Sequence, residues 1–74
     1  MRILHYTVIL DRQPDKVYHV FCPVLPGCHS EGDTLEEALK NIKEAIEVYV
    51  DSLKAHHEKV PQEDLLIKPM EIAV

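Results

Sequence analysis

Apolar and polar residues alternate along the first ten positions. Leu4, Tyr6, Val8 and Leu10 fall on one face of an extended chain, and Ile3, His5, Thr7 and Ile9 on the other. A period of two, rich in β-branched and aromatic residues, predicts a strand. The next stretch, Asp11-Arg12-Gln13-Pro14-Asp15-Lys16, is polar and carries turn chemistry in its proline and aspartates. Alternation resumes over residues 17–22, where Tyr18, Val20 and Cys22 face away from Val17, His19 and Phe21. Two alternating runs joined by a short polar loop predict an antiparallel hairpin. Pro23, Pro26 and Gly27 stop the second strand, because proline has no N–H for a ladder and glycine accepts positive φ. Residues 28–31 are long enough for a short third strand.

Beyond Gly32 and Asp33 the period changes to 3.6. Leu35, Ala38, Leu39, Ile42, Ala45, Ile46, Tyr49, Val50 and Leu53 share one stripe of a helix. Thr34 and Glu37 have capping-box spacing, and Glu36 and Glu37 suit the positive end of the helix dipole. With no Gly or Pro inside it, a helix over residues 34–57 is about 35 Å long. Pro61 ends it. Met70, Ile72 and Val74 then alternate with Glu71 and Ala73, predicting a final short strand. Residues 65–67 fit either a helical turn or the start of that strand, with Pro69 interrupting the run.

The pattern predicts one α+β domain over residues 1–74, ordered β-β-β-α-β. It is an antiparallel three-stranded meander with one long helix on one face. The final strand is expected to join parallel to a neighbour through a right-handed crossover. One helix covers only one face of such a sheet. With Leu4, Tyr6, Val8 and Leu10 beneath it, the other face shows Ile3, Ile9, Val17 and Phe21 among His5, Thr7 and His19. A surface that apolar predicts contact with another protein. A chain of 74 residues buries only about 60% of its unfolded surface, and small domains often recover stability by oligomerising. A homodimer or higher assembly through Ile3, Ile9, Val17 and Phe21 is therefore expected.

Charge narrows the partners. Thirteen Asp and Glu against eight Lys and Arg give a net charge of −5. That balance repels phosphate backbones, so direct nucleic-acid binding is not expected, and it suits a basic protein partner. The start of the chain has no signal-peptide pattern, and no apolar run approaches the roughly 20 residues that cross a bilayer. A cytoplasmic protein is expected, with Cys22 and Cys28 as reduced thiols.

Four stretches carry a resemblance. Tyr6-Thr-Val-Ile-Leu10, Tyr18-His-Val-Phe-Cys-Pro23, Leu25-Pro-Gly-Cys-His-Ser30 and Gly32-Asp-Thr-Leu-Glu-Glu-Ala-Leu39 resemble the HicB antitoxin domain. The similarity runs in the family's order and spacing from about residue 4 to residue 53. The resemblance implies a truncated ribonuclease H-like fold. It also implies a non-catalytic role: binding and blocking a small basic HicA-type toxin, an mRNA interferase. Many HicB proteins continue into a DNA-binding domain. Here the sequence stops at Val74, after the expected fourth strand, so operator binding by this chain alone is not expected. A stand-alone self-associating module, regulatory or ligand-binding and without a toxin, is the alternative.

Candidate chemistry adds little to an enzymatic reading. A two-metal nuclease needs converging carboxylates, usually one on the first strand, and strand one carries none before Asp11. Asp11, Asp15 and Asp33 have turn and cap roles. Cys22, Cys28, His29 and His19 lack zinc-site spacing, and His56 and His57 suit the negative end of the helix dipole. No catalytic residue, metal or cofactor is expected. The outer helix face is more telling: Glu36, Glu37, Lys40, Glu44, Glu47 and Asp51 lie opposite the apolar stripe, with Val48 near their centre. They form either a solvated face or a landing surface for a basic toxin.

Overall fold

The computed structural model describes residues 3–12 and 14–74. Three short strands, β1 (Ile9–Arg12), β2 (Tyr18–Phe21) and β3 (His29–Gly32), precede one helix, α1 (Leu35–Ala55). The strands form an antiparallel sheet in the order β1-β2-β3. In register, Ile9 faces Phe21 and Phe21 faces His29, while Asp11 faces His19 and His19 faces Glu31.

The ladder is shorter than the alternation, for a local reason. Beyond Phe21 the chain turns into the proline loop. There the Cys22 N–H donates to the Cys28 carbonyl (3.0 Å), Leu25 N–H to Cys22 (3.2 Å) and Cys28 N–H to Leu25 (3.0 Å). Residues 3–8 consequently lie outside the β1–β2 ladder. They keep part of the expected facing: Leu4, Tyr6 and Val8 pack against the core, while Ile3 and His5 are exposed. At the other end β1 runs on through Asp11 and Arg12, residues that read as turn, and the Arg12 guanidinium lies 5.6 Å over the Tyr18 ring.

The core sits between β2, the proline loop and α1. Leu25 and Ala38 are wholly buried, and Val20, Ile42, Cys22, Cys28 and Val50 nearly so. Gly27 supplies the positive φ of 79° that the loop needs, and the Tyr49 hydroxyl donates to the Pro26 carbonyl at 3.0 Å. Thr34 caps α1 by accepting from the Glu37 N–H at 3.1 Å. Just before it, Gly32 has no room for a side chain: a Cβ there would meet the Ala38 nitrogen at 2.5 Å and Glu37 Cβ at 2.8 Å. That close approach seats the start of the helix on the end of β3. Asn41 fastens the same seam by donating to the Glu31 carbonyl at 2.8 Å.

One expected element is absent. Residues 58–74 contain neither strand nor helix, so the final parallel strand does not form, and residues 65–67 adopt neither candidate structure. The chain is instead held just before the expected strand. Tyr6 donates its hydroxyl to the Pro61 carbonyl, and Glu63 accepts from the Thr7 N–H and, at 2.7 Å, from the Thr7 hydroxyl. From residue 64 onward every residue is exposed. A strand needs a ladder partner to satisfy its backbone, and this segment has none among the described residues.

Candidate functional site

Three surfaces surround the small core. The first is the outer face of α1. Glu36, Glu37, Lys40, Glu44, Glu47, Val48 and Asp51 are all exposed, as their positions opposite the apolar stripe require. Val48 is 69% exposed and lies among the acids rather than beneath them. The helix divides this set between its flanks. Glu44 and Val48 border a shallow depression floored by Gly27, Cys28 and Ser30, whereas Glu47 and Asp51 turn towards the N-terminal segment.

The second surface is the sheet face away from the helix. Ile9 and Phe21 are about 40% exposed and directly paired, and Ile3 is exposed at 74%. Val17 is half-buried at the mouth of the hairpin, where its N–H donates to Asp15 Oδ1 at 2.9 Å. The row beside the Ile9–Phe21 pair is polar. His19 lies between Asp11 and Glu31 in the register, with its ring nitrogens 3.6 Å from Asp15 Oδ2 and 3.9 Å from Glu31 Oε2. The face is therefore an apolar pair next to an acid–histidine–acid row, less uniformly apolar than the alternation implied.

The third surface is a groove that the sequence did not reveal. The helix packs on β2 and β3 and leaves β1 uncovered. Between the helix and residues 4–8 opens a cleft of about 570 Å³. Leu4, Tyr6 and Val8 form one wall and Leu39, Ile46 and Val50 the other, with Lys43, Glu47, Asp51 and Lys54 along its rim.

The thiols are enclosed in the core. Cys22 and Cys28 are buried and unbridged, and burial, with neighbouring Cys22 second, pushes the Cys28 thiol above its ordinary range. A buried thiol with a raised pKa, as at Cys28, is a poor nucleophile and a poor ligand. Among the described residues no three His, Cys, Asp or Glu side chains converge as a metal site would require. His56 ends the helix with its ring nitrogen Nδ1 2.7 Å from the Ser52 carbonyl.

Comparison with known proteins assigns the family. Residues 6–71 match the family profile described as the HicB-like antitoxin of bacterial toxin–antitoxin systems. A UPF0150 protein of Synechocystis is 58% identical over 99% of this chain and 92% of its own length. A UPF0150 protein of Thermoplasma acidophilum is 51% identical, over 82% of this chain and 88% of its own. Among solved structures, the N-terminal domain of the Burkholderia pseudomallei antitoxin HicB superposes with a TM-score of 0.71. It is 34% identical, over 80% of this chain and 69% of that one. Three antiparallel strands under a single long helix, with this sequence match across most of the length, place the chain in the HicB-like antitoxin family.

Proposed function

We propose that this chain is a non-enzymatic antitoxin that binds and neutralises a small basic HicA-type mRNA interferase through the outer face of α1. The observation that carries the reading is the exposed set Glu36, Glu37, Glu44, Glu47 and Asp51 around Val48, with Lys40 as the one base within it. A surface with acids around an apolar contact suits a basic partner: the charges steer encounter, and the apolar centre slows release. No helix among the described residues is long and apolar enough to cross a membrane, and we place the protein in the cytoplasm, where an interferase would act. Self-association through Ile3, Ile9, Val17 and Phe21 belongs to the same reading, because it would leave the helix face open.

The test is co-expression with the small basic protein encoded beside this chain, scored by growth rescue and co-purification. Reversing Glu44, Glu47 and Asp51 to Lys should slow association, most clearly at low salt, because the screening length falls to about 8 Å at 0.15 M. An active toxin from that locus that is neither bound nor neutralised sinks the proposal. A second reading, a stand-alone self-associating module, is favoured by the exposed Ile9–Phe21 pair; it becomes the better account if the locus encodes no basic partner.

A further inference from the structure

The groove and the chain's last residues fit one another, yet they do not meet within one copy. The groove has apolar walls from Leu4, Tyr6, Val8 and the helix flank. Residues 70–74 carry apolar side chains at every second position, and Met70, Ile72 and Val74 are all exposed. An extended segment presents such residues on one face, the complement an apolar cleft beside an edge strand requires.

Geometry keeps the two apart in a single copy. Glu63 is anchored at Thr7 by paired hydrogen bonds. From that anchor, residue 70 lies seven positions on, about 23 Å of extended chain. Thr7 is only five positions from the end of β1 at Arg12, about 17 Å, and four from Ile3, about 13 Å. Running in either direction along its own edge, the chain would pass the groove before residue 70. The molecule's shape agrees with a projecting segment. Its radius of gyration is 14.4 Å, against about 11 Å for a compact chain of this length. Its longest extent is 47 Å, against about 32 Å for the helix alone.

We propose that residues 70–74 of one copy occupy the groove of a second copy in extended form, with Met70, Ile72 and Val74 packed between Leu4 and Tyr6 and the flank of α1. Pro69 marks the start of the inserted segment, and apolar residues alternate with the others beyond it. The surface meets the outer face of α1 only at its rim, in Glu47 and Asp51, and its apolar walls are not part of that face, so the proposal does not depend on a toxin.

The experiment places a benzoylphenylalanine photo-crosslinker at position 72 of the full chain and maps the product by mass spectrometry, with light scattering run in parallel. The expected result is a covalent dimer joining position 72 to a peptide containing Leu39 or Ile46 of the other copy. Ile46→Glu should suppress it. With Phe21→Glu removing association through the sheet face, adding Ile72→Asp should weaken the remaining dimer roughly tenfold or more, the effect of losing one well-buried aliphatic side chain per site. Ile72 is exposed in the single copy, so that variant keeps its fold, as an unchanged helical circular dichroism signal would verify. Phe21→Glu should leave the crosslink in place. A crosslink within one chain, a monomer at every concentration, or a dimer lost with Phe21→Glu but kept with Ile72→Asp would each overturn the proposal.

Discussion

The two halves of the sheet are built from similar residues and end in different states. Under the helix, Val20 from β2, Leu25 and Cys28 from the proline loop, and Ala38 and Ile42 from α1 reach 5% exposure or less. On the β1 flank, Leu4, Tyr6, Val8 and Leu10 are as apolar but only partly buried, beside an open groove. What differs is how each is tied to the helix. Gly32, the Thr34 cap and the Asn41–Glu31 hydrogen bond fix the helix over β3. On the β1 side the neighbour is instead the chain after the helix, tied through Pro61 and Glu63. A single helix of this width covers two strands and leaves the third for something else.

The largest expected effect breaks the covered half. Ile42→Ala should destabilise the protein by about 2–5 kcal/mol, from lost transfer energy plus an unfilled cavity. Val8→Ala, on the half-open wall of the groove, should cost about 1 kcal/mol or less. Urea denaturation of the two variants at the same low protein concentration measures the contrast. Equal costs would show that the groove is closed in solution.

Next in size is the seam itself. Gly32→Ala places a Cβ against the backbone of Glu37 and Ala38 at 2.5–2.9 Å, which forces the helix start away from β3. Overpacking of this kind costs about 1–3 kcal/mol. Thermal melts should show the loss. Amide shifts should move at residues 31–38 and stay still at residues 4–8, since those belong to the other flank.

The sequence revealed the covered half better than the open one, for physical reasons. Thr34, Glu36 and Glu37 announce the helix start through local chemistry, and Pro26-Gly27 announces a turn; both need only neighbours in sequence. The outer helix residues from Glu36 to Asp51 were legible for the same reason, because a strong 3.6 period fixes which face is exposed. Strand limits were less legible, because a ladder ends where its partner ends, and β2 ends at the Cys22 hydrogen bond into the loop. Met70, Ile72 and Val74 show the period of a strand, but a period of two states which side chains share a face and not which edge they join. Gly32 read as a lead into the helix; that it also excludes any side chain depends on the crossing of β3 and α1. The groove had no signal in sequence, since it follows from how far the helix reaches across the sheet.

A smaller effect tests the seam from the helix side. Thr34→Ala removes the hydroxyl that accepts from Glu37 N–H and should cost about 1 kcal/mol. Thr34→Ser should restore most of it. Hydrogen exchange should speed in the first turn of α1 and leave the amides of residues 45–55 unchanged. Uniform loss of protection along the helix would mean that the cap governs the whole fold rather than its first turn.

The smallest effect belongs to the open flank and is set by pH. The Glu63 carboxylate is held below its ordinary pKa first by the hydrogen bond from the Thr7 backbone N–H, then by the Thr7 hydroxyl, with nearby His5 a lesser influence. Both bonds need the ionised form as acceptor. The folded-state pKa is lower than that of the unfolded chain, so the tie is fully present above the ordinary glutamate value of about 4.3. It is lost as pH falls through the lower folded value. Acidification should therefore release residues 61–63 from the N-terminal segment while the core under the helix, where no carboxylate is buried, remains intact. In an NMR titration the Thr7 amide should follow a single midpoint below the ordinary glutamate value of about 4.3. Glu63→Gln should abolish that titration while leaving the Val20 and Ile42 signals in place. A Thr7 midpoint at or above the ordinary glutamate value of about 4.3 would show that Glu63 is not its partner. Loss of the Val20 and Ile42 signals at the same midpoint would show that the two halves of the sheet unfold as one unit.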